Sequence, residues 1–415
     1  MKLNGTRALF ISYNGMLEPL GQSQVIPYLK ELAEEGVQFT LLSFERSLAF
    51  THPGEKMCKE LTQQLTAANI EWHWLPYHKT PSLLATAYDV LVGLRYASSL
   101  VRRRGIELVH ARSHVPAAIA LLLKKLFGVK MIFDIRGLMA EEYVDAKRWK
   151  EGQVKYRLTK AIERRALQAS DAVVTLTERI WPVIRDWDGL RGRTEVIHKI
   201  IPCCSDLEVF SFSEKDRNRR RSELNLADRF IVTYSGSVGG WYRTKEMADF
   251  FLELLKQKSE SHFLWLTNGD PRLIQDLMSE RKIAREFFTI KSVRPLEVPS
   301  YLSASDLGLA FYQAGISRYA TSPVKVSEYL ACGLSVLINE GIGDTDALVT
   351  NEGVGVVVKE FTARAFAEAI AQVDSLLKNQ PLARLRARAV AEKYFDIHHV
   401  GRERYSELYR EVLGA

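Results

Sequence analysis

Short apolar runs separated by helix-sized segments recur along nearly the whole chain, and they recur in two series. The first series occupies 8–12, 37–44, 108–110, 131–135 and 172–176; the second occupies 230–234, 262–267, 287–290, 307–311 and 335–338. Each run is too short for a helix, and helical segments such as 24–35, closed by Gly36, lie between them. Strands that alternate with helices pair in parallel through right-handed crossovers, so each series predicts a doubly wound α/β sheet. The pattern stops at Ile-Ile-Pro-Cys-Cys-Ser-Asp (200–206) and then restarts. This predicts two Rossmann-like domains, 1–204 and 205–395, with a C-terminal helical segment, 396–415, returning to the first. Ligands of such a pair belong at the carboxyl ends of the strands, in a central cleft that both domains face.

The length of 415 residues suits two cores of this kind, and 47% apolar with 26% charged residues is ordinary for a soluble globular chain. The N-terminus runs straight into the first strand without the features of a signal peptide. The apolar stretches 83–100 and 115–127 are interrupted by Asp89, Arg95, Lys124 and Lys125, short of the roughly 18 apolar residues that span a bilayer. A cytoplasmic protein, soluble or peripherally attached, is expected. Of the four cysteines, Cys203 and Cys204 are adjacent while Cys58 and Cys332 stand alone, so neither a disulfide framework nor a zinc spacing is present. The net charge of +7 is partly clustered: between Lys147 and Arg165, eight lysines and arginines face only Glu151 and Glu163. Arg217, Arg219, Arg220 and Arg221 form a second cluster. Such runs are either solvated helix faces or sites of attraction for anionic lipid or phosphate-bearing acceptors. No nucleic-acid module accompanies them.

Three segments carry candidate chemistry. After the first strand, residues 13–25 supply Gly15 and Gly21 ahead of a helix, a loop whose N–H groups can approach an anion. After the strand at 230–234, Gly236, Ser237, Gly239, Gly240, Arg243 and Lys245 crowd one connection, offering a diphosphate both backbone donors and cations. The third segment is Ala320-Thr-Ser-Pro-Val-Lys-Val-Ser-Glu-Tyr-Leu-Ala-Cys-Gly333. Ser322 as N-cap and Pro323 as first helical residue predict a helix start there. Lys325 and Glu328, three residues apart, then share one helix face. Lysine and helix dipole suit a phosphate; the carboxylate suits ribose hydroxyls. An exposed Lys–Glu pair is the plainer alternative.

Ser-Pro-x-Lys-x-x-Glu-Tyr-x-Ala-x-Gly before an apolar strand resembles the donor-binding signature of the family 4 retaining glycosyltransferases of GT-B fold. The Pro-Leu-Gly-Gln-Ser-Gln loop, Asp134-Ile-Arg-Gly137, Ile201-Pro202 with Asp206, Gly236-Ser237 and Gly343-Asp-Thr-Asp346 fall in the order in which relatives carry comparable motifs. The capsule, exopolysaccharide and lipopolysaccharide branch is the most similar. The resemblance implies Glu328 as ligand of the donor ribose, Lys325 and Lys245 as partners of the diphosphate, and Gly21 near the donor phosphates and reacting sugar. It implies a UDP-, GDP- or ADP-sugar donor, a glycan or lipid-linked acceptor and retention of configuration; with no convincing metal site in the sequence, no metal cofactor is expected. Acceptor contacts would come from Arg136, Glu141 and Glu142. Three positions depart from the family pattern. Ala320 replaces a sugar-contacting glutamate, leaving Arg318 as the nearest charged substitute. Arg136 stands where a histidine is common, and Ser237 where an arginine is.

Two further constellations compete for a role. Asp344-Thr-Asp346 has the form of a metal–nucleotide motif, but its place before a helix favours capping. His110 and His114 have i, i+4 spacing without a third ligand, which favours a cleft-lining or acid–base role, His114 above all, or a structural one. Rival functions are a sugar-nucleotide epimerase or phosphorylase on the same plan, and a non-catalytic nucleotide-sugar-binding subunit. A dinucleotide oxidoreductase is weaker, because no Gly-x-Gly-x-x-Gly follows the first strand.

Overall fold

The computed structural model of the protein describes residues 3–193 and 196–414. The chain divides into two compact units, Met1–Pro202 with Ile397–Ala415, and Cys203–Asp396.

The first unit is built on seven strands: β1 (Arg7–Ser12), β2 (Gln38–Glu45), β3 (Ile70–Pro76), β4 (Leu108–Arg112), β5 (Lys130–Asp134), β6 (Ala172–Thr175) and β7 (Ile197–Ile200). They form one parallel sheet in the order β3-β2-β1-β4-β5-β6-β7. Leu9 of β1 lies opposite Thr40 of β2 on one side and Val109 of β4 on the other. Every β1 residue after Arg7 is buried, the continuous apolar run expected of a sheet covered on both faces. The second unit repeats the plan with β8 (Phe230–Ser235), β9 (Ser261–Leu266), β10 (Phe288–Lys291), β11 (Leu307–Ala310), β12 (Ser335–Asn339) and β13 (Gly355–Val358). Its parallel order is β10-β9-β8-β11-β12-β13, over a core that includes Phe250, Phe263, Trp265 and Phe311. In both sheets the chain starts in the middle, builds to one edge, then crosses to the other side. The order reverses between β1 and β4 and between β8 and β11, where loops diverge and leave a crevice.

Three strands escape the sequence pattern, and all three are edge strands. β3 alternates and ends in proline, β7 is half-buried throughout, and β13 is four residues opened by a glycine. The helix expected at 24–35 forms as Ile26–Glu34 with a proline in its first turn, and a short helix the sequence did not suggest, Pro19–Gln24, precedes it across a break at Val25.

The arginine cluster at 217–221 is not an open anion surface. Arg217 and Arg221 reach Asp306 at 2.7 and 2.5 Å, and Asp306 also accepts the Ile231 N–H at 2.8 Å. Burial alone would raise that carboxyl, but the two guanidiniums outweigh it and hold it below the usual range. This clamp fastens the helix Glu214–Glu223 to the sheet. All four cysteines are buried free thiols. Among the described residues, no helix is long and apolar enough to cross a membrane.

A π-helical turn, Ile397–Gly401, leads into the final helix, Arg402–Leu413, which rests on the first unit. The Tyr405 hydroxyl donates to Asp134 at 3.0 Å, and the Tyr409 hydroxyl lies 2.9 Å from His110 Nδ1. Arg402 pairs with Glu35, and Lys199 with Glu407 and Glu411.

Candidate functional site

In the second unit, the residues leaving β8 and β11 meet where the strand order reverses. Tyr234 is fully buried near the end of β8, and the chain then turns through Gly236 at φ +142°. A Cβ there would lie 2.9 Å from Lys325 Nζ, so the glycine serves the turn and leaves room for an amine. Just past β11, Tyr312 pairs with Tyr242 in an isolated antiparallel bridge. Arg243 N–H donates to Phe311 O at 3.0 Å and Gln313 N–H to Trp241 O at 2.8 Å, which draws the glycine loop across the strand ends.

Lys325 enters from the helix Val324–Ala331. Its Nζ stands 3.7 Å from the Tyr242 ring centroid, 4.5 Å from that of Tyr234 and 5.2 Å from that of Tyr312. It donates to the Tyr234 hydroxyl at 3.2 Å, and that hydroxyl donates to Ser237 O at 2.5 Å. The lysine is 7% exposed, so it is no surface partner of Glu328. Burial drives its pKa well below the usual lysine range, and the Glu328 charge draws it partly back. Glu328 is half-buried one turn further on; burial pushes its carboxyl up to about 7, with Lys325 pulling the other way.

The expected cap does not form. Ser322 Oγ accepts the Cys203 N–H at 3.0 Å, which ties the start of the unit to this turn. Pro323 itself occupies the cap position, not the first helical one, and it has no hydroxyl to offer. The helix therefore begins without a capping side chain, and in its first turn the Val326 N–H donates to Pro323 O at 3.0 Å.

The remaining second-unit candidates are spread out. Ser237 is exposed at the tip of the turn. Arg243 is turned to Glu246 at 3.0 Å, and Lys245 is exposed one residue into the helix Thr244–Gln257. Neither joins the contacts around Lys325. Arg318 is buried with its guanidinium 4.8 Å from the centre of the Trp241 ring. Ala320 is buried as well. Asp346 accepts the Gly341 N–H at 2.8 Å, whereas Asp344, at the cap position, makes no side-chain cap bond.

In the first unit the glycine loop after β1 is already occupied. Glu45, from the end of β2, accepts the Met16 N–H at 2.6 Å and the Leu17 N–H at 3.4 Å. The loop N–H groups expected to face an anion are thus turned onto the chain's own carboxylate. A Cβ on Gly21 would lie 2.4 Å from Gly15 O, so this glycine lets the helix Pro19–Gln24 press on the preceding turn. His114 is 1% exposed and its Nε2 lies 3.0 Å from Glu163. It joins two helices within the unit and lines no open wall. His110 and His114 are committed to different partners, Tyr409 and Glu163, not to a shared ion. Arg136, at φ +55°, lies 3.6 Å from Asp134 and 3.5 Å from Gln24. Burial would raise the Asp134 carboxyl, but Arg136 and His110 hold it low. Sequence reasoning missed Tyr234, Tyr242, Tyr312 and Glu45. The strand order brings Tyr234, Tyr312 and Glu45 to the loops they serve, and Tyr242 joins them through its bridge to Tyr312.

Comparison with known proteins fits this architecture. Residues 24–199 match the glycosyl transferase 4-like domain, and residues 215–393 match the glycosyl transferases group 1 domain. A Bacillus subtilis protein named for teichuronic acid biosynthesis, the glycosyltransferase TuaH, is 26% identical over 187 residues. That match spans 44% of this chain and 43% of the relative. Among solved structures, sucrose-phosphate synthase from Thermosynechococcus elongatus superposes with TM-score 0.71 at 16% identity over 99% of both chains. A glycosyltransferase from Rickettsia africae gives 0.73 at 14% over 98% of both. HepE of Anabaena, solved with UDP and glucose, gives 0.71 at 13% over 97% of this chain and 99% of its own. With a 4-like first half and a group 1 second half on two parallel Rossmann-like sheets, the chain belongs to the family 4 glycosyltransferases of GT-B fold.

Proposed function

We propose that the chain is a sugar transferase of the EC 2.4 class, acting on a UDP-, GDP- or ADP-sugar and a glycan or lipid-linked acceptor in polysaccharide assembly. It retains anomeric configuration, uses no metal and works in the cytoplasm at the inner membrane face. The observation that carries the reading is Lys325, a buried amine at the strand reversal of the group 1 domain, with Glu328 one turn away. In the reaction the bond from the sugar to the diphosphate breaks, an acceptor oxygen takes the sugar, and its proton passes to the departing phosphate. Negative charge grows on that phosphate, and a fixed amine beside an uncapped helix start suits it. Glu328 would hold the ribose, while Lys245 and Arg243 would have to swing inward to contribute. The HepE structure with UDP and glucose supports a nucleotide sugar as donor. Thermal shift against UDP-, GDP- and ADP-sugars should single out one base, and transfer with that donor should continue in excess chelator. Strict dependence on magnesium or manganese, or a product of inverted configuration by NMR, would overturn the mechanism.

Membrane contact is supported by the first unit's surface. Lys160 is bound to Glu141 and Glu163, and Lys155 donates to Ser82, but six of the eight basic residues between 147 and 165 remain exposed. Beside them the helix Ser82–Arg104 presents Leu84, Tyr88 and Leu91, at 70, 55 and 65% exposure. The helix Val154–Ala169 adds Val154 and Leu158. An apolar stripe bordered by cations fits the interface of an anionic bilayer. The protein should sediment with vesicles containing phosphatidylglycerol, less so at high salt, and Leu84→Asp with Leu91→Asp should reduce binding about tenfold or more. Equal binding to neutral vesicles, or none to anionic ones, would count against it.

A further inference from the structure

A buried ammonium needs acceptors for three N–H groups and a counter-charge. Lys325 has, among the described residues, one hydrogen-bond acceptor, the Tyr234 hydroxyl, and otherwise meets ring faces. Among the described residues it makes no ion-pair contact. The charged groups about it are few. Glu328 lies one turn along its own helix, Arg318 lies over Trp241, and Arg243 is engaged by Glu246. The hydroxyl groups of Tyr234, Tyr242, Tyr312 and Tyr329 are all raised above the usual tyrosine range by burial and remain neutral.

We propose that Tyr242 and Tyr312, with Tyr234, are positioning residues that seat the Lys325 amine at the carboxyl ends of β8 and β11, leaving its counter-charge to be supplied by the donor's diphosphate. This rests on the reading of Lys325 as the diphosphate's partner. Ring faces attract a cation through their quadrupole but neither neutralise it nor compete with an arriving phosphate. A carboxylate in the same place would do both. The Tyr242–Tyr312 bridge fixes two of the rings relative to each other, and Gly236 keeps the space beside Nζ free of a side chain.

The seat has a proton-linked consequence. Burial depresses the free amine, and a nucleoside diphosphate arriving beside it favours the charged form, so binding takes up a proton above the free amine's pKa. Glu328 contributes to such an exchange near its own midpoint of about 7, so uptake is followed from about pH 8 to pH 10 and repeated in Glu328→Gln.

Calorimetry with UDP, GDP and ADP, and with the matching nucleosides, in two buffers of unlike ionisation heat separates the possibilities. The parent protein should bind its diphosphate with proton uptake, and Glu328→Gln should keep that uptake. Tyr242→Leu should weaken the diphosphate about tenfold, spare the nucleoside and abolish uptake, because water then reaches the amine. Tyr242→Phe, which keeps the ring, should stay within about twofold. Tyr312→Leu should behave as Tyr242→Leu, which guards against one variant that fails to fold. If Lys325→Met loses diphosphate affinity but both leucine variants match the parent in affinity and uptake, the seat is wrong while the donor site stands. A phenylalanine variant as weak as the leucine one would also overturn it. If Lys325→Met binds all ligands like the parent, the donor site itself lies elsewhere.

Discussion

Lys325→Ala should lower turnover by about a hundredfold or more while leaving nucleoside affinity within about twofold. The asymmetry follows from when the charge appears. In the bound donor the diphosphate's charge is already spread over two phosphates, whereas in the transition state it concentrates on the leaving oxygen. An amine 7% exposed and held between ring faces acts in a surround poor in water, where each charge interaction is stronger than in solvent. Lys325→Met, which fills the same space without charge, should match the alanine variant in kcat. If methionine restored turnover, the lysine would be serving packing alone. Steady-state kinetics at saturating donor, with calorimetry on the free nucleoside, reads both quantities.

Glu328→Gln should make the protein more stable at pH 8 and less able to hold the nucleotide. Burial raises the folded-state carboxyl to about 7 from an ordinary 4.5, so the folded chain binds the proton more tightly than the unfolded chain. The stability gained from that proton is complete below about 4.5 and disappears as pH rises through about 7. At pH 8 the ionised carboxyl therefore costs about 2–3 kcal/mol that a neutral amide avoids. Urea unfolding of parent and variant should diverge at pH 8 and converge at pH 5. The same substitution removes the charge that would grip two ribose hydroxyls, so nucleoside and nucleoside diphosphate should both weaken about tenfold to a hundredfold. A variant no more stable at pH 8, with parent-like affinity, would show Glu328 to be an ordinary surface carboxylate.

The central strands were legible because burial on both faces writes a continuous apolar run, as in Ala8-Leu-Phe-Ile-Ser12. The edges were not. β3, β7 and β13 are covered on one flank only, and their sequences carry the glutamate, histidines, lysine and glycine that a flank facing water tolerates. At the candidate site, the spacing of Lys325 and Glu328 places them on one helix face without any knowledge of the fold. The burial of Lys325 could not be read that way, since it depends on Tyr234 on β8 and Tyr312 just past β11, which the chain reaches far apart in sequence. Glu45 was hidden for the same reason: it answers Met16 from 29 residues away. A glycine loop looks alike whether an external anion or an internal carboxylate takes its N–H groups. His114 shows the converse, a residue type rich in chemistry whose partner, Glu163, makes it a buried tie between helices.

The final helix belongs to the first unit, so in chain order the second unit is an insertion rather than an appendage. Its two ends lie side by side: Ser205 bridges Asp396 in parallel, and Ser205 N–H donates to Phe395 O at 2.8 Å. Adjacent termini make 203–396 exchangeable. The corresponding unit from another member of the family could be grafted at these two points while the first unit keeps Tyr405 and Tyr409 over Asp134 and His110. If the proposed donor role of the second unit holds, such an exchange should change the nucleotide sugar that is bound and leave the fold of the first unit intact.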